Sequence, residues 1–270
     1  MPPLVIDFPH SGLEKPDDWN TVLAPEQWMR SADLYVDELW TSFQALGIPA
    51  VKASFPRVYL DVNRASTDFC PEHFIQDIEL PTNPSRYATL GMGLAWITCG
   101  PENFHIYDTP PSLSELKNRL DNFYWPYHNT LQYYLNAADE YYGGYVFLDL
   151  HSMPAVGDHR SLRALGEGRP DCIIGTLDGR SAHADLTDYL AGLFIDQGFK
   201  TSVNEEFKGG YLVSRYGEPS RNHHALQVEL NRGLYLMEDR ISKNQAFPAV
   251  QKKLGWILQS FYEYTQKYFL

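Results

Sequence analysis

The sequence predicts an α/β fold with a mainly parallel, mixed central sheet flanked by helices, and three observations predict it. Short, nearly continuous apolar runs (Leu4 to Phe8, Tyr145 to Leu150, Ala225 to Leu230) have the composition of strands buried on both faces. Segments with helical periodicity alternate with them, the pattern of a parallel sheet joined by helices. Polar residues that can carry chemistry, His10, His151 and Glu229, stand at or near the carboxyl ends of these runs, where such sheets place their ligands.

Taken in order, Leu4 to Phe8 is a buried strand that delivers the polar loop Pro9-His10-Ser11-Gly12. Residues 25–46 have Leu34, Leu39, Phe43 and Leu46 at roughly helical spacing and stop at Gly47, so a helix is expected. Residues 50–55 and 58–62 are expected strands. Residues 65–112 are rich in Pro, Gly, Asn and Thr; a loop of that length is usually functional. Residues 111–142 predict a long helix with Leu116, Leu120, Phe123, Tyr127 and Leu131 on one side, kinked at Pro126 and ended by Gly143-Gly144. After the strand at 145–150, a helix is expected over 186–197, closed by Gly198. A Gly-Gly break follows in 203–213, then a strand over 225–230 and a C-terminal helix over 246–269. With no repeat and no composition shift, one domain over 1–270 is expected, with a loop-rich insertion near 65–112.

Composition narrows the function classes. The chain has 270 residues, 44% of them hydrophobic, enough for one sizeable core. It carries 22 basic against 34 acidic residues, a net charge of −12. With no run of Lys or Arg, it is expected to bind neither nucleic acid nor an anionic membrane. Cys70, Cys99 and Cys172 are odd in number and form no CxxC pair, so no disulfide framework is expected. The opening MPPLVIDFPH has no basic start followed by a long apolar stretch, and no run of 18 apolar residues occurs, so a cytoplasmic protein is expected.

The chemistry-bearing residues fall into three groups. His10 and His151 each follow an apolar run; imidazole is a preferred zinc ligand, and a catalytic zinc takes three protein ligands. A carboxylate completing the set can come from Glu14, Asp33 or Asp37. Asp149 lies two residues before His151, hence on the same strand face, where it can hold the other ring nitrogen of a ligating histidine. Asn63-Arg64 at a strand end can grip a carboxylate, and Arg57 can serve as a second cation. Glu229 ends an otherwise apolar strand in Gln227-Val228-Glu229-Leu230-Asn231-Arg232. Buried there it needs a partner, and Glu is the usual general base of metallohydrolases; the alternative is a salt bridge to Arg232 or Arg221. Phe207-Lys208-Gly209-Gly210-Tyr211 is a tight turn, without the pattern of a phosphate loop, and no GxSxG nucleophile elbow occurs.

These pieces resemble, along almost the whole chain, the N-formylglutamate amidohydrolase family. They are PHSG (9–12), ADLYVDEL (32–39), FPRVYLDVNR (55–64), YWPYH (124–128), DLHSMP (149–154), GTLDG (175–179), FKGGYLVSRYG (207–217) and HALQVELNRGLYL (224–236). The family is similar in turn to zinc carboxypeptidases and aspartoacylases, which implies a phosphorylase/hydrolase-like fold and one zinc ion, or another divalent metal, as cofactor. The wider group uses HxxE, but Leu13 stands three residues after His10. The resemblance therefore implies His10, Asp33 and His151 as metal ligands, with Asp37 and then Glu14 as alternatives to Asp33. It further implies Glu229 as base, Arg57 at the oxyanion, Asn63 and Arg64 at a substrate carboxylate, and Lys208 and Arg215 at a second carboxylate. The expected activity is hydrolysis of N-formyl-L-glutamate. The alternatives are a related zinc hydrolase of another N-acyl amino acid or small peptide, and an idle carboxylate-binding protein of the same fold.

Overall fold

The computed structural model describes residues 2–100, 103–157 and 164–269. In chain order they form β1 (Leu4–Phe8), α1 (Pro25–Met29), α2 (Val36–Leu39), α3 (Ser42–Leu46), β2 (Ala50–Lys52), α4 (Arg86–Thr89), β3 (Thr98–Cys99), β4 (Phe104–His105), α5 (Leu113–Arg119), α6 (Trp125–Tyr142), β5 (Tyr145–Met153), β6 (Cys172–Gly175), α7 (Ala184–Asp196), β7 (Thr201–Val203), α8 (Tyr211–Tyr216), β8 (His223–Asn231), β9 (Leu236–Met237), β10 (Ser242–Lys243) and α9 (Phe247–Tyr268). Two compact units emerge: Met1–Phe8 with Tyr35–Val51 and Leu131–Leu270, and Pro9–Leu34 with Lys52–Thr130.

The first unit is built on a six-stranded sheet in the order β2-β1-β5-β8-β6-β7. β1, β5 and β8 run parallel, β6 runs antiparallel to β8, and β7 is parallel to β6. The sheet is thus mixed and mostly parallel, and the fold is α/β as the sequence predicts. Every residue of β1, β5, β6 and β8 is buried, the reason their sequences are apolar runs rather than alternating ones. α9 buries Val250, Leu254, Ile257, Leu258 and Phe261 at helical spacing and packs on α2, α3, α7 and β1. Among the described residues no helix is long and apolar enough to cross a membrane.

The second unit has little regular structure. Its core is aromatic: Trp19 meets Trp28 and Tyr59 edge-on, and Phe123 meets Phe55 and Tyr59. Buried Arg119 lies 4.2 Å over the Tyr59 ring and donates to the Tyr59 carbonyl. Burial raises the Tyr59 phenol pKa, and its hydroxyl donates to Asp18. Backbone bonds between distant loops take the place of a sheet: Asp61 N to Leu94 O at 2.7 Å, Leu94 N to Asp68 O at 2.7 Å, and Trp96 N to Val58 O at 3.2 Å.

Four expectations change. The helix over 25–46 is three short helices, because the chain turns at Ser31 to Tyr35 and Tyr35 adopts a left-handed backbone (φ 62°). Residues 58–62 are a buried turn rather than a strand, with Tyr59 N bonded back to Pro56 O; a short apolar run has the same composition in either form. The long helix over 111–142 contains a π turn, Leu120–Tyr124, just before Pro126, whose ring excludes the regular bond. β6 was not anticipated: four residues, Cys-Ile-Ile-Gly, are too short to show a period.

Candidate metal and catalytic centre

Strand register positions one group of residues in the sheet unit. Asp7 pairs with Asp149 and Asp149 with Gln227, while two residues further on His151 pairs with Glu229. Because side chains alternate along a strand, Asp149, His151, Gln227 and Glu229 share one sheet face. Asp149 Oδ1 lies 2.6 Å from His151 Nε2, as the i, i+2 spacing predicts, so Nδ1 is the ring nitrogen that points elsewhere. Glu229 is 6% exposed. Its Oε1 accepts a 2.9 Å bond from Gln227 Nε2, and Gln227 Oε1 in turn accepts from Gly210 N at 2.7 Å. The Gly-Gly turn of the sequence is therefore tied to the strand that presents Glu229. Of the two arginines weighed as salt-bridge partners, Arg232 Nε donates to Ser152 Oγ at 3.0 Å, and Arg221 faces Glu218 at 3.5 Å.

Loops position the second group. His10 follows β1 by two residues, and Asp33 N donates to His10 O at 2.9 Å, with Ser11 Oγ donating to Asp33 O at 3.1 Å. Gly12 permits this arrangement: a Cβ there would collide with the backbone oxygen of Ala53. His10 Nδ1 lies 3.4 Å from Asp33 Oδ2, and its Nε2 lies 2.7 Å from Asp61 Oδ1. Asp33 thus lies in the loop that precedes α2. Asp61 is fully buried; the same oxygen accepts from Asn63 N at 3.0 Å, and Oδ2 accepts from Arg57 Nη2 at 2.9 Å and Nε at 3.3 Å. Burial alone would raise the Asp61 carboxyl pKa; the Arg57 guanidinium, His10 and Arg64 outweigh it and hold it well below the usual carboxylate range.

Among the described residues, His10, Asp33 and His151 form a group able to hold a metal ion: each offers one ligand atom, and these atoms lie within 4.8 Å of one another. Two imidazoles and a carboxylate are a catalytic zinc donor set. Of the three candidate acids, Asp33 is the one in this group. Asp37 is half-buried in α2, and Glu14 lines a separate groove of about 440 Å³ with Lys15, Asp17 and Asp18. In the sequence Asp61 is marked only by its position two residues before Asn63-Arg64.

The predicted cations differ in what holds them. Arg57 is bonded to Asp61 and lies 5.1 Å over Trp96. Arg64 makes no side-chain hydrogen bond among the described residues; its Nε is 4.0 Å from both Asp61 and Asp68, and its guanidinium carbon lies 4.8 Å over Tyr87. Lys208 is an exposed partner of Asp178 at 3.0 Å, and exposed Arg215 donates to Tyr211 Oη at 3.3 Å.

Comparison with known proteins identifies the family. Residues 2–236 match the family model for N-formylglutamate amidohydrolase. The chain is 30% identical over 239 residues to the N-formylglutamate deformylase of Pseudomonas putida, covering 87% of this chain and 82% of the relative. It is 27% identical to the enzyme of the same name from Pseudomonas aeruginosa, covering 87% of this chain and 83% of that one. The crystal structure of N-formylglutamate amidohydrolase from Ralstonia eutropha superposes with a TM-score of 0.94 at 31% identity, covering 98% of this chain and 95% of that one. This chain belongs to the N-formylglutamate amidohydrolase family.

Proposed function

We propose that the protein is a zinc-dependent amidohydrolase that cleaves N-formyl-L-glutamate to formate and glutamate. The observation that carries the reading is the His10, Asp33 and His151 donor set in a chain whose relatives bear the name of that activity. These three side chains would hold one zinc ion, or another divalent cation. When bound, the metal supplies Lewis acidity at the scissile carbonyl and makes water easier to deprotonate.

The chain's own residues do the rest. Asp61 holds the Nε2 edge of His10 through a hydrogen bond and the Asp149 carboxylate lies beside the Nε2 edge of His151, leaving Nδ1 of each ring as the donor. Glu229 takes the proton of the attacking water at its carboxylate and passes it to the leaving amine; the Gln227 amide fixes the carboxylate plane. Arg57, held on Asp61, adds a fixed positive charge that stabilises the oxyanion. Arg64, with Asn63, grips the α-carboxylate of the substrate, its N–H donors not engaged by side chains of the described residues. Lys208 and Arg215 are assigned to the second carboxylate; the Lys208 loop is tied to Gln227 through Gly210. Residues 1–270 are taken as one amidohydrolase domain, with a loop-rich insertion near 65–112, acting on a small N-acyl amino acid. The unbridged thiols Cys70 and Cys172 fit the reducing cytoplasm in which we place it.

The test is release of formate and glutamate from N-formylglutamate by purified protein before and after chelation, with zinc content measured. Zinc-dependent release of both products is expected. Bound zinc without release would discard the substrate and send the search to other N-acyl amino acids; release unaffected by removal of all metal would discard the mechanism.

A further inference from the structure

The segment 65–112 was expected to matter for function without any residue in it being assigned a role. It folds so that two of its aromatic rings cover the two arginines beside Asp61. Trp96 lies under Arg57, 5.1 Å from ring centre to guanidinium carbon, and Tyr87 lies over Arg64 at 4.8 Å. The two arginines are otherwise unlike. Arg57 is anchored by two hydrogen bonds to a carboxylate, so its stacking is redundant for position. Arg64 makes no side-chain hydrogen bond among the described residues, and its side chain is 23% exposed. Its carboxylate neighbours stand off at 4.0 Å, beyond hydrogen-bond reach, so they supply charge but no direction. Among the described residues, the ring that meets the guanidinium is that of Tyr87.

Tyr87 is itself held with unusual care for a residue 50% exposed. It stands in α4, whose N-cap Ser85 accepts from Ala88 N at 3.2 Å. Asp68 pins that cap, Oδ1 accepting from Ser85 N at 2.7 Å and Oδ2 from Ser85 Oγ at 3.1 Å. The backbone oxygen of Asp68 is in turn approached so closely by Gly93 that a Cβ there would collide with it and crowd Ala88. Asp68 therefore touches both ends of the device: the charge of Arg64 and the helix that carries Tyr87. An arginine recognises a carboxylate through the edge of its plane, so a ring that fixes the plane fixes the direction in which the N–H fork points.

We propose that Tyr87 is a positioning residue for substrate recognition: its ring, set by the Asp68–Ser85 cap, holds the Arg64 guanidinium edge-on to an incoming carboxylate. The proposal rests on the reading of Arg64 as the carboxylate grip and deepens it. Segment 65–112 then contributes specificity for N-acyl amino acids that carry a free α-carboxylate, over those in which it is an amide.

The experiment compares Tyr87→Leu, Tyr87→Phe and Arg64→Gln by steady-state kinetics on N-formylglutamate and on its α-carboxamide analogue, with melting temperatures of each. A stacked cation of this exposure implies a KM for N-formylglutamate raised roughly fivefold in Tyr87→Leu, with kcat within about twofold of wild type. Tyr87→Phe, which keeps the ring, restores KM, and KM for the carboxamide is unaffected by either change. Arg64→Gln raises KM for N-formylglutamate further still. If Arg64→Gln raises KM and Tyr87→Leu does not, the positioning role is wrong and the Arg64 reading stands. If Arg64→Gln leaves KM unchanged, both fall. If the leucine variant raises KM equally for both substrates with a lowered melting point, the ring is merely structural and the proposal is overturned. Should it fail to fold, Tyr87→Met takes its place under the same criteria.

Discussion

In the sheet unit, His151 and Glu229 face one another because β5 and β8 are in register over nine paired residues. In the other unit, His10, Asp33 and Asp61 come from three separated loops held by individual bonds: Asp33 N to His10 O, Ser11 Oγ to Asp33 O, Asp61 N to Leu94 O. Register is collective. Many ladder bonds hold it, and a slip by one residue would turn every side chain to the wrong face, so no single side chain decides it. Loop positions are held one bond at a time, and losing one buried partner leaves the other uncompensated. A substitution in the strands should therefore damage chemistry while leaving the framework intact, whereas one in the loops should damage assembly of the site first.

The largest effect is expected at Glu229→Gln. The change is isosteric and leaves the β5–β8 register alone, so bound metal and melting temperature stay near wild type while kcat falls about a thousandfold. Retained turnover would move the base elsewhere; lost metal would show that Glu229 helps to hold the ligand set.

Acid stability tests the sheet unit next. His224 in β8 is fully buried beside His183, Tyr268 and Phe269. Burial, with the neighbouring His183 and His223, lowers its pKa from 6.5 to about 4. The unfolded chain then binds the extra proton between these values. Its contribution to stability is unchanged above pH 6.5, falls as pH drops from 6.5 to about 4, and is constant below. The loss amounts to something on the order of 3 kcal/mol. Denaturant titrations from pH 7 to 4 should show that slope in wild type and a flatter one in His224→Phe; equal slopes would remove His224 as the cause.

Asp61→Asn probes the loop unit. It keeps the shape but removes the charge shared by His10 and Arg57. Metal affinity, read by chelator competition, should fall about 10- to 100-fold, with kcat of the metal-saturated variant much less affected than in Glu229→Gln. A variant that binds metal normally yet turns over slowly would invert the comparison.

The smallest effect belongs to Lys208→Ala. Its pair with Asp178 has side chains 51% and 54% exposed, so stability should change by less than about 1 kcal/mol. KM for N-formylglutamate should rise about threefold through loss of a screened charge near the second carboxylate. No change in KM would leave Lys208 a surface residue only.

What could be read in the chain follows the same division. The parallel strands and the long C-terminal helix announced themselves, because burial on both faces demands continuous apolar runs and a packed helix demands a 3.6-residue stripe. Their ends presented His151 and Glu229, and the Asp149-x-His151 spacing implied the contact that the structure shows at 2.6 Å. His10 was legible at the end of an apolar run and Asn63-Arg64 as an adjacent pair at an expected strand end, whereas the choice of Asp33 over Asp37 and Glu14 came from motif resemblance, since no periodicity marks a loop. The tertiary structure alone decided the rest. That Asp61 holds His10, that Arg57 is bound to Asp61 while Arg64 is not, and that Tyr87 covers Arg64 depend on contacts between residues 51, 4 and 23 positions apart. In loops such contacts are selected one at a time by hydrogen bonds and close packing. A repeating pattern is legible in a sequence because every period repeats the same physical demand; a singular contact leaves no period to read.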